Sequence, residues 1–218
     1  ARWAVPVATV NPRLLSLPTW PPMPFGNEPG ARLTAADLII VLEADVPWFP
    51  ALQAPAAGCK VAEIAIDPAH QRYPMRSFAC DLAIAATPAV ALTALDAAVA
   101  SKANASRITE RRARLAPLAA TRRAAADAAG KSTGDKITPA FLSRAISGML
   151  DDDDIVFNEY PLVLDQVRRE KPGTLFGLSP AGGLGWGLGA ALGAKLAAPE
   201  RTIVATVGYA LTAYVENL

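Results

Sequence analysis

The chain has 218 residues, of which 52% are apolar and 19% charged, and its net charge is +1. This composition describes a globular protein with core enough for one large domain or two small ones, and it excludes an intrinsically disordered chain. The near-neutral balance gives no general reason to expect nucleic acid or an anionic membrane as a partner.

In chain order, WAVPVATV (Trp3 to Val10) reads as a short strand. Asn11 to Gly30 is rich in proline and reads as a long surface loop. Leu38 to Leu42 (LIIVL) is a continuous apolar run, as in a strand buried on both faces of a parallel sheet. Lys60 to Ile66 is a second such strand, ended by Asp67-Pro68, and Asp81 to Ala86 is a third. Pro88 to Ala100 reads as an alanine-rich helix with proline in its first turn. Strands separated by helices or long crossovers predict an α/β layer architecture.

Residues 101–136 are basic, alanine-rich and nearly free of large apolar side chains. Their arginine pairs lack interleaved aromatics to stack bases, and Glu110 and Asp127 interrupt the field, so a solvated connector helix is expected instead of a nucleic-acid patch. Gly130 to Gly134 reads as a turn. Thr138 is a good N-cap with Pro139 at N1, opening the helix PAFLSRAISGML. Asp151 to Asp154 lack the alternating ligands and glycine of a calcium loop, so a solvated turn is expected. IVFNE (Ile155 to Glu159) is the next buried strand. YPLVLDQVRRE then reads as a helix, GTLFGL as a short extended piece, and TIVATVG (Thr202 to Gly208) as the last strand.

The stretch SPAGGLGWGLGAALGAKLA (Ser179 to Ala197) holds six glycines and one charge. It is too weakly hydrophobic for a membrane span. The dinucleotide pattern G-x-G-x-x-G fails, because its third glycine position holds Leu188 or Leu192. The phosphate-loop pattern fails as well, since no glycine precedes Lys195. What survives is a loop-to-helix junction. Gly182 and Gly183 let backbone approach a ligand, Leu184 projects alone between glycines, and Gly185 to Ala197 forms a helix. The small residues Gly189, Ala190 and Gly193 would allow close packing, so a ligand-free helix contact is the competing reading of the same residues.

AGGLGWGLGAALGAKLA followed by TIVATVG resembles the cofactor-binding domain of the thiamine-diphosphate-dependent enzymes of the acetolactate synthase, benzoylformate decarboxylase and pyruvate decarboxylase superfamily. ADLIIVLEADVPW, VAEIAIDP and YPMRSFACDLAI resemble that family's central domain, and VFNEYP the strand and turn that open its cofactor domain. The resemblance implies a Rossmann-like, parallel-sheet central domain over residues 1–100, a helical linker over 101–136, and the N-terminal part of a cofactor-binding α/β domain over 137–218. Carried over by residue, it places backbone at Gly182 and Gly183 against the cofactor's 4′-amino group. Leu184 takes the place of the apolar wedge that keeps the cofactor bent, Glu159, Tyr160 and Pro161 lie near the diphosphate, and Gly208 begins the metal-anchoring turn. The implied chemistry is the cofactor's: a thiazolium carbanion adds to a 2-keto acid carbonyl and the ring accepts the electrons released on decarboxylation.

Two departures bear on activity. Where the family has G-D-G, Gly208 is followed by Tyr209, so the aspartate ligand to magnesium is missing. The family's catalytic glutamate comes from a domain that would precede Ala1. Both ends thus look cut, and the last three residues, Glu216 to Leu218, match the start of a common protease-cleavage tag. The expectation is a piece of a longer enzyme that uses thiamine diphosphate and magnesium, works on a 2-keto acid and forms a homo-oligomer, dimer or tetramer. This piece is expected to hold no catalytic residue and no metal ligand and not to bind the cofactor by itself. The alternative is a non-catalytic nucleotide-binding or scaffold module on the same α/β fold.

The remaining candidates are weaker. His70 is the single histidine, lacks triad or metal partners, and reads as a surface-loop residue. Arg72 and Arg76 read as fixing their loop to the sheet, with an anion site as the less favoured role, and Trp48 as packing. Cys59 and Cys80 match no metal or redox spacing and no signal peptide is visible, which points to a reduced, cytoplasmic setting.

Overall fold

A computed structural model describes residues 2–20, 25–26, 29–71, 78–131, 134–160, 162–177 and 183–208. Contacts divide the chain into two units, residues 28–110 and residues 1–27 with 111–218. The division differs from the one expected along the chain: the first 27 residues lie with the C-terminal unit, and the second boundary falls inside a helix. Each unit is an α/β layer built on a parallel sheet, as the residues predict. Among the described residues no helix is long and apolar enough to cross a membrane.

In the unit of residues 28–110, the short helix α1 (Ala31–Ala35) leads into β3 (Leu38–Leu42), numbered after the two short N-terminal strands β1 (Val7–Ala8) and β2 (Phe25–Gly26) of the other unit. β4 (Lys60–Ala65), β5 (Leu82–Ala85) and α2 (Pro88–Ala100) follow. The sheet order is β3-β4-β5, all parallel, with Ile39 opposite Val61 and Glu63 opposite Ala83. Ile39, Val41 and Val61 share one face and pack against Leu33, Trp48 and Phe78. The Trp48 and Phe78 rings meet edge to face at 5.3 Å. Asp81 ties β5 to β4 by accepting from Val61 N and Lys60 Nζ, each at 2.8 Å.

Of these three strands only the central one, β4, is buried on both faces, at Glu63, Ile64 and Ala65. Leu38, Ile40, Leu82 and Ile84, which the register puts on the opposite face, are all exposed, and α2 buries no residue. An apolar run reports that a strand can be covered twice, not what covers it. His70 also departs from expectation. Its side chain is only 16% exposed and turns toward buried Glu63, with Nε2 and Oε1 3.9 Å apart. Burial holds the Glu63 carboxyl above its ordinary range, with the His70 charge opposing. Arg72 and Arg76 lie outside the described residues.

In the other unit, β1 and β2 pair in parallel, so the strand expected over Trp3 to Val10 reduces to two residues. The helix α3 (Ala105–Ala129) begins in the first unit and crosses the division between Glu110 and Arg111. It is solvated over most of its surface but buries Leu115, Ala119 and Ala126. Arg144 and Gln166 fasten its end: Arg144 bonds Asp127 and Gln166, each at 2.8 Å, and Gln166 Nε2 donates to Ala126 O at 2.7 Å. The helix α4 (Pro139–Gly148) starts as expected, with Phe141 N donating to Thr138 Oγ1 at 3.1 Å. β6 (Ile155–Asn158), buried at all four positions, is the central strand of a parallel sheet in the order β7-β6-β8. Its partners are β7 (Leu175–Phe176) and β8 (Ile203–Thr206). Val156 meets Leu15, Leu162, Val167 and Leu175 in the core.

Two expectations here are corrected. The helix over YPLVLDQVRRE is a single 3-10 turn, Leu164–Gln166. The backbone N–H groups that a helix would use internally are taken from outside. Val163 N donates to Ser143 Oγ at 3.0 Å, Arg168 N to Ser147 Oγ at 2.8 Å, and Arg169 N to Thr19 Oγ1 at 2.9 Å. Asp154 is not solvated like Asp151 to Asp153. It is buried and accepts from Asp151 N at 2.8 Å and Thr202 N at 2.9 Å, joining the turn to the start of β8.

Candidate functional site

The carboxyl ends of parallel strands collect loops, and in open α/β sheets ligands bind at that edge. Here the edge brings together the turn after β6 and the end of β8. Asn158 closes β6 and its side chain accepts from Leu162 N at 2.8 Å, which turns the chain sharply. Glu159 N and Tyr160 N both donate to Thr206 O, at 3.1 and 2.8 Å, and Thr206 Oγ1 donates back to Tyr160 O at 2.9 Å. Tyr160 is exposed, and its ring lies where a Cβ at Gly208 would come within 3.1 Å. The close contact at Gly208 is therefore with the protein's own tyrosine. Glu159, Tyr160 and Gly208 thus meet in one place, whereas Pro161, Gly182 and Tyr209 lie outside the described residues.

The glycine stretch joins them through α5 (Trp186–Ala197). Its N-cap is Gly185, at φ 96° and ψ −6°, a left-handed conformation that glycine adopts without a Cβ clash. Buried Glu159 reaches across from the end of β6. Its Oε1 accepts from Gly185 N at 2.8 Å and its Oε2 from Gly187 N at 2.6 Å. Two of the four N–H groups a helix leaves unbonded are thereby satisfied by a carboxylate held at the positive end of the helix. Side chains alternate along β6, so Phe157 points the same way as Glu159 and meets Trp186 edge to face, with ring centres 6.1 Å apart. Phe176 stacks on the same ring at 4.9 Å.

Close packing occurs at a different glycine from those expected. A Cβ at Gly189 or Gly193 would have open space around it, and Leu192 and Leu196 on the same helix are exposed. Gly187 is the buried one, where a Cβ would stand 3.0 Å from both Cβ and Oε2 of Glu159. The Glu159–Gly185–Gly187 clasp is invisible to reasoning along the chain, because it joins positions 26 and 28 residues apart. The available signal was a glycine on either side of Trp186, after a strand that ends in a carboxylate.

Three observations bear on whether a ligand fits. Gly183 has open space where a side chain would be, Leu184 is 74% exposed, and the buried Trp186 Nε1 lacks a hydrogen-bond partner. An apolar side chain standing out beside bare backbone can take a flat ring. Among the described residues no group of three His, Cys, Asp or Glu side chains is placed to hold a metal ion, and the Glu159 oxygens already accept two N–H groups.

No curated protein matches this chain. Residues 159–210, which span the Glu159 turn, the glycine loop, α5 and β8, match the family model for the thiamine pyrophosphate enzyme C-terminal TPP binding domain, and that segment is similar to it.

Proposed function

We propose that this chain is part of a thiamine-diphosphate- and magnesium-dependent 2-keto acid decarboxylase or carboligase of acetolactate synthase type, a cytoplasmic homo-oligomer. The observation that carries the reading is the exposed Leu184 beside open backbone at Gly183, at the mouth of α5 and inside the segment that matches the family. Thiamine diphosphate, when bound, supplies a nucleophilic carbon and an electron sink. The chain's own part is to bind and orient. Backbone at Gly182 and Gly183 accepts from an amino group on a flat ring, Leu184 braces that ring, and Phe157 with Trp186 backs the loop from the sheet side. Proton transfer and metal anchoring fall to residues other than those described.

Calorimetric titration of thiamine diphosphate into the protein that carries this chain, with and without magnesium, tests the reading. Saturable heat that weakens on Leu184→Ala supports it. No heat under either condition overturns it.

A further inference from the structure

The open N-terminus of a helix attracts anions, and a loop that binds a phosphorylated cofactor would ordinarily offer that end to the phosphate. At α5 that end is already taken. Both Glu159 oxygens accept from it, at 2.8 Å from Gly185 N and 2.6 Å from Gly187 N, and the residue is only 2% exposed. Glu159 is held there from the other side as well, because its backbone N–H and that of Tyr160 are bonded to Thr206 O. The absent side chain at Gly187 is what lets the carboxylate reach the second N–H, since a Cβ there would stand 3.0 Å from Oε2. A ligand anion at α5 would have to expel a buried carboxylate, leaving it unpaired.

We propose that Glu159 is a positioning residue: it fills the α5 N-terminus as a built-in anion, fixes Gly185 in its left-handed turn, and so presents Gly183 and Leu184 to an uncharged ring while excluding a ligand's anionic end from that spot. This reassigns Glu159, expected beside the diphosphate, to a role exerted through Gly185 and Gly187. For thiamine diphosphate, which rests on the functional reading above, the diphosphate then lies away from α5 and the aminopyrimidine faces it. Glutamine at position 159 could accept from only one of the two N–H groups, and its amide would turn a donor toward the other.

Inorganic phosphate is the probe, titrated into the isotope-labelled full chain while the Gly185 and Gly187 amide resonances are followed. In the wild type neither amide is expected to show a saturable shift. In Glu159→Ala both should shift saturably, and in Glu159→Gln the one that the glutamine oxygen does not accept from. Phosphate should then be held about 2- to 30-fold more tightly than in the wild type, the range of a helix-end–anion interaction. Added phosphate should also raise the thermal midpoint of Glu159→Ala more than that of the wild type, which a merely structural loss would not produce. Phosphate saturating the wild-type amides overturns the proposal, as do variants that fold yet ignore phosphate. If neither variant folds, the wild-type titration decides alone. Because no thiamine compound is present, the result is independent of the calorimetric test: failure of cofactor binding leaves this proposal standing, and the reverse also holds.

Discussion

Two glycines two residues apart in α5, Gly187 and Gly189, allow a controlled comparison. Gly187→Ala and Gly189→Ala add the same methyl group to the same helix, and neither glycine has a positive φ. Each gains alanine's helix preference, worth about 0.8–1 kcal/mol. At Gly189 nothing opposes the gain, because the new Cβ meets open space. At Gly187 the Cβ comes to 3.0 Å from both Cβ and Oε2 of Glu159, within a clasp sealed by Phe157 and Trp186. Overpacking costs about 1–3 kcal/mol, and losing the bond from Gly187 N to a buried carboxylate costs about as much again. The expected outcome is a net loss of about 1–5 kcal/mol for Gly187→Ala and a gain of about 0.8–1 kcal/mol for Gly189→Ala. Urea unfolding by far-UV circular dichroism, with hydrogen exchange at the β6 amides to identify the unit affected, measures both. If the two substitutions shift stability in the same direction, the role given to the Glu159 clasp is wrong.

Gly130→Ala should be destabilising, because the new methyl would displace the Arg144 guanidinium and the Gln166 amide from the hydrogen bonds by which they fasten the end of α3. Differential scanning calorimetry should show the thermal midpoint down by several degrees, the scale of a loss of about 2 kcal/mol. Acid stability should depend on Asp154. Burial pushes its carboxyl up, but hydrogen bonds from the backbone N–H groups of Asp151 and Thr202 and the charge of Arg169 together hold it below the ordinary aspartate range. A depressed carboxyl contributes stability above its unfolded pKa, and that contribution is lost as pH falls through the lower folded value. Asp154→Asn should therefore lower stability at neutral pH and flatten the fall below about pH 4, read as urea midpoints against pH.

The parts of this fold that were legible along the chain are those written in local periodicity. The runs Leu38–Leu42 and Ile155–Asn158 became strands, Pro88–Ala100 became a helix, and Thr138 capped α4. What was not legible depends on distant partners. Residues 160–170 have a sequence that a helix could use, but Ser143, Ser147 and Thr19 claim their N–H groups. Four adjacent aspartates look equivalent until one is drawn in by Thr202 N, 48 residues away. In the same way Gly187, Gly189 and Gly193 look alike in the sequence, and only the carboxylate reaching over from β6 separates the first from the others. Leu184 stood out as an apolar residue among glycines and Glu159 as a residue of the turn after β6, but the bonds from Gly185 N and Gly187 N to its carboxylate were not legible.

The N-terminal strap has a consequence for how the molecule is made. Leu15 N donates to Leu175 O at 3.2 Å, Gly177 N to Arg13 O at 2.8 Å, and Thr19 exchanges hydrogen bonds with Arg169 across 150 residues. During synthesis, residues 11–20 are made well before β7, the strand they lie against. At translation rates of about 5–20 residues per second, that is a wait of roughly 10–30 s. Residues 28–110, whose three sheet strands pair with one another among the described residues, can fold in the meantime. Synthesis thus imposes an assembly order, residues 28–110 first and the unit of residues 1–27 with 111–218 last. During that interval the proline-rich strap is the segment most open to a chaperone or a protease.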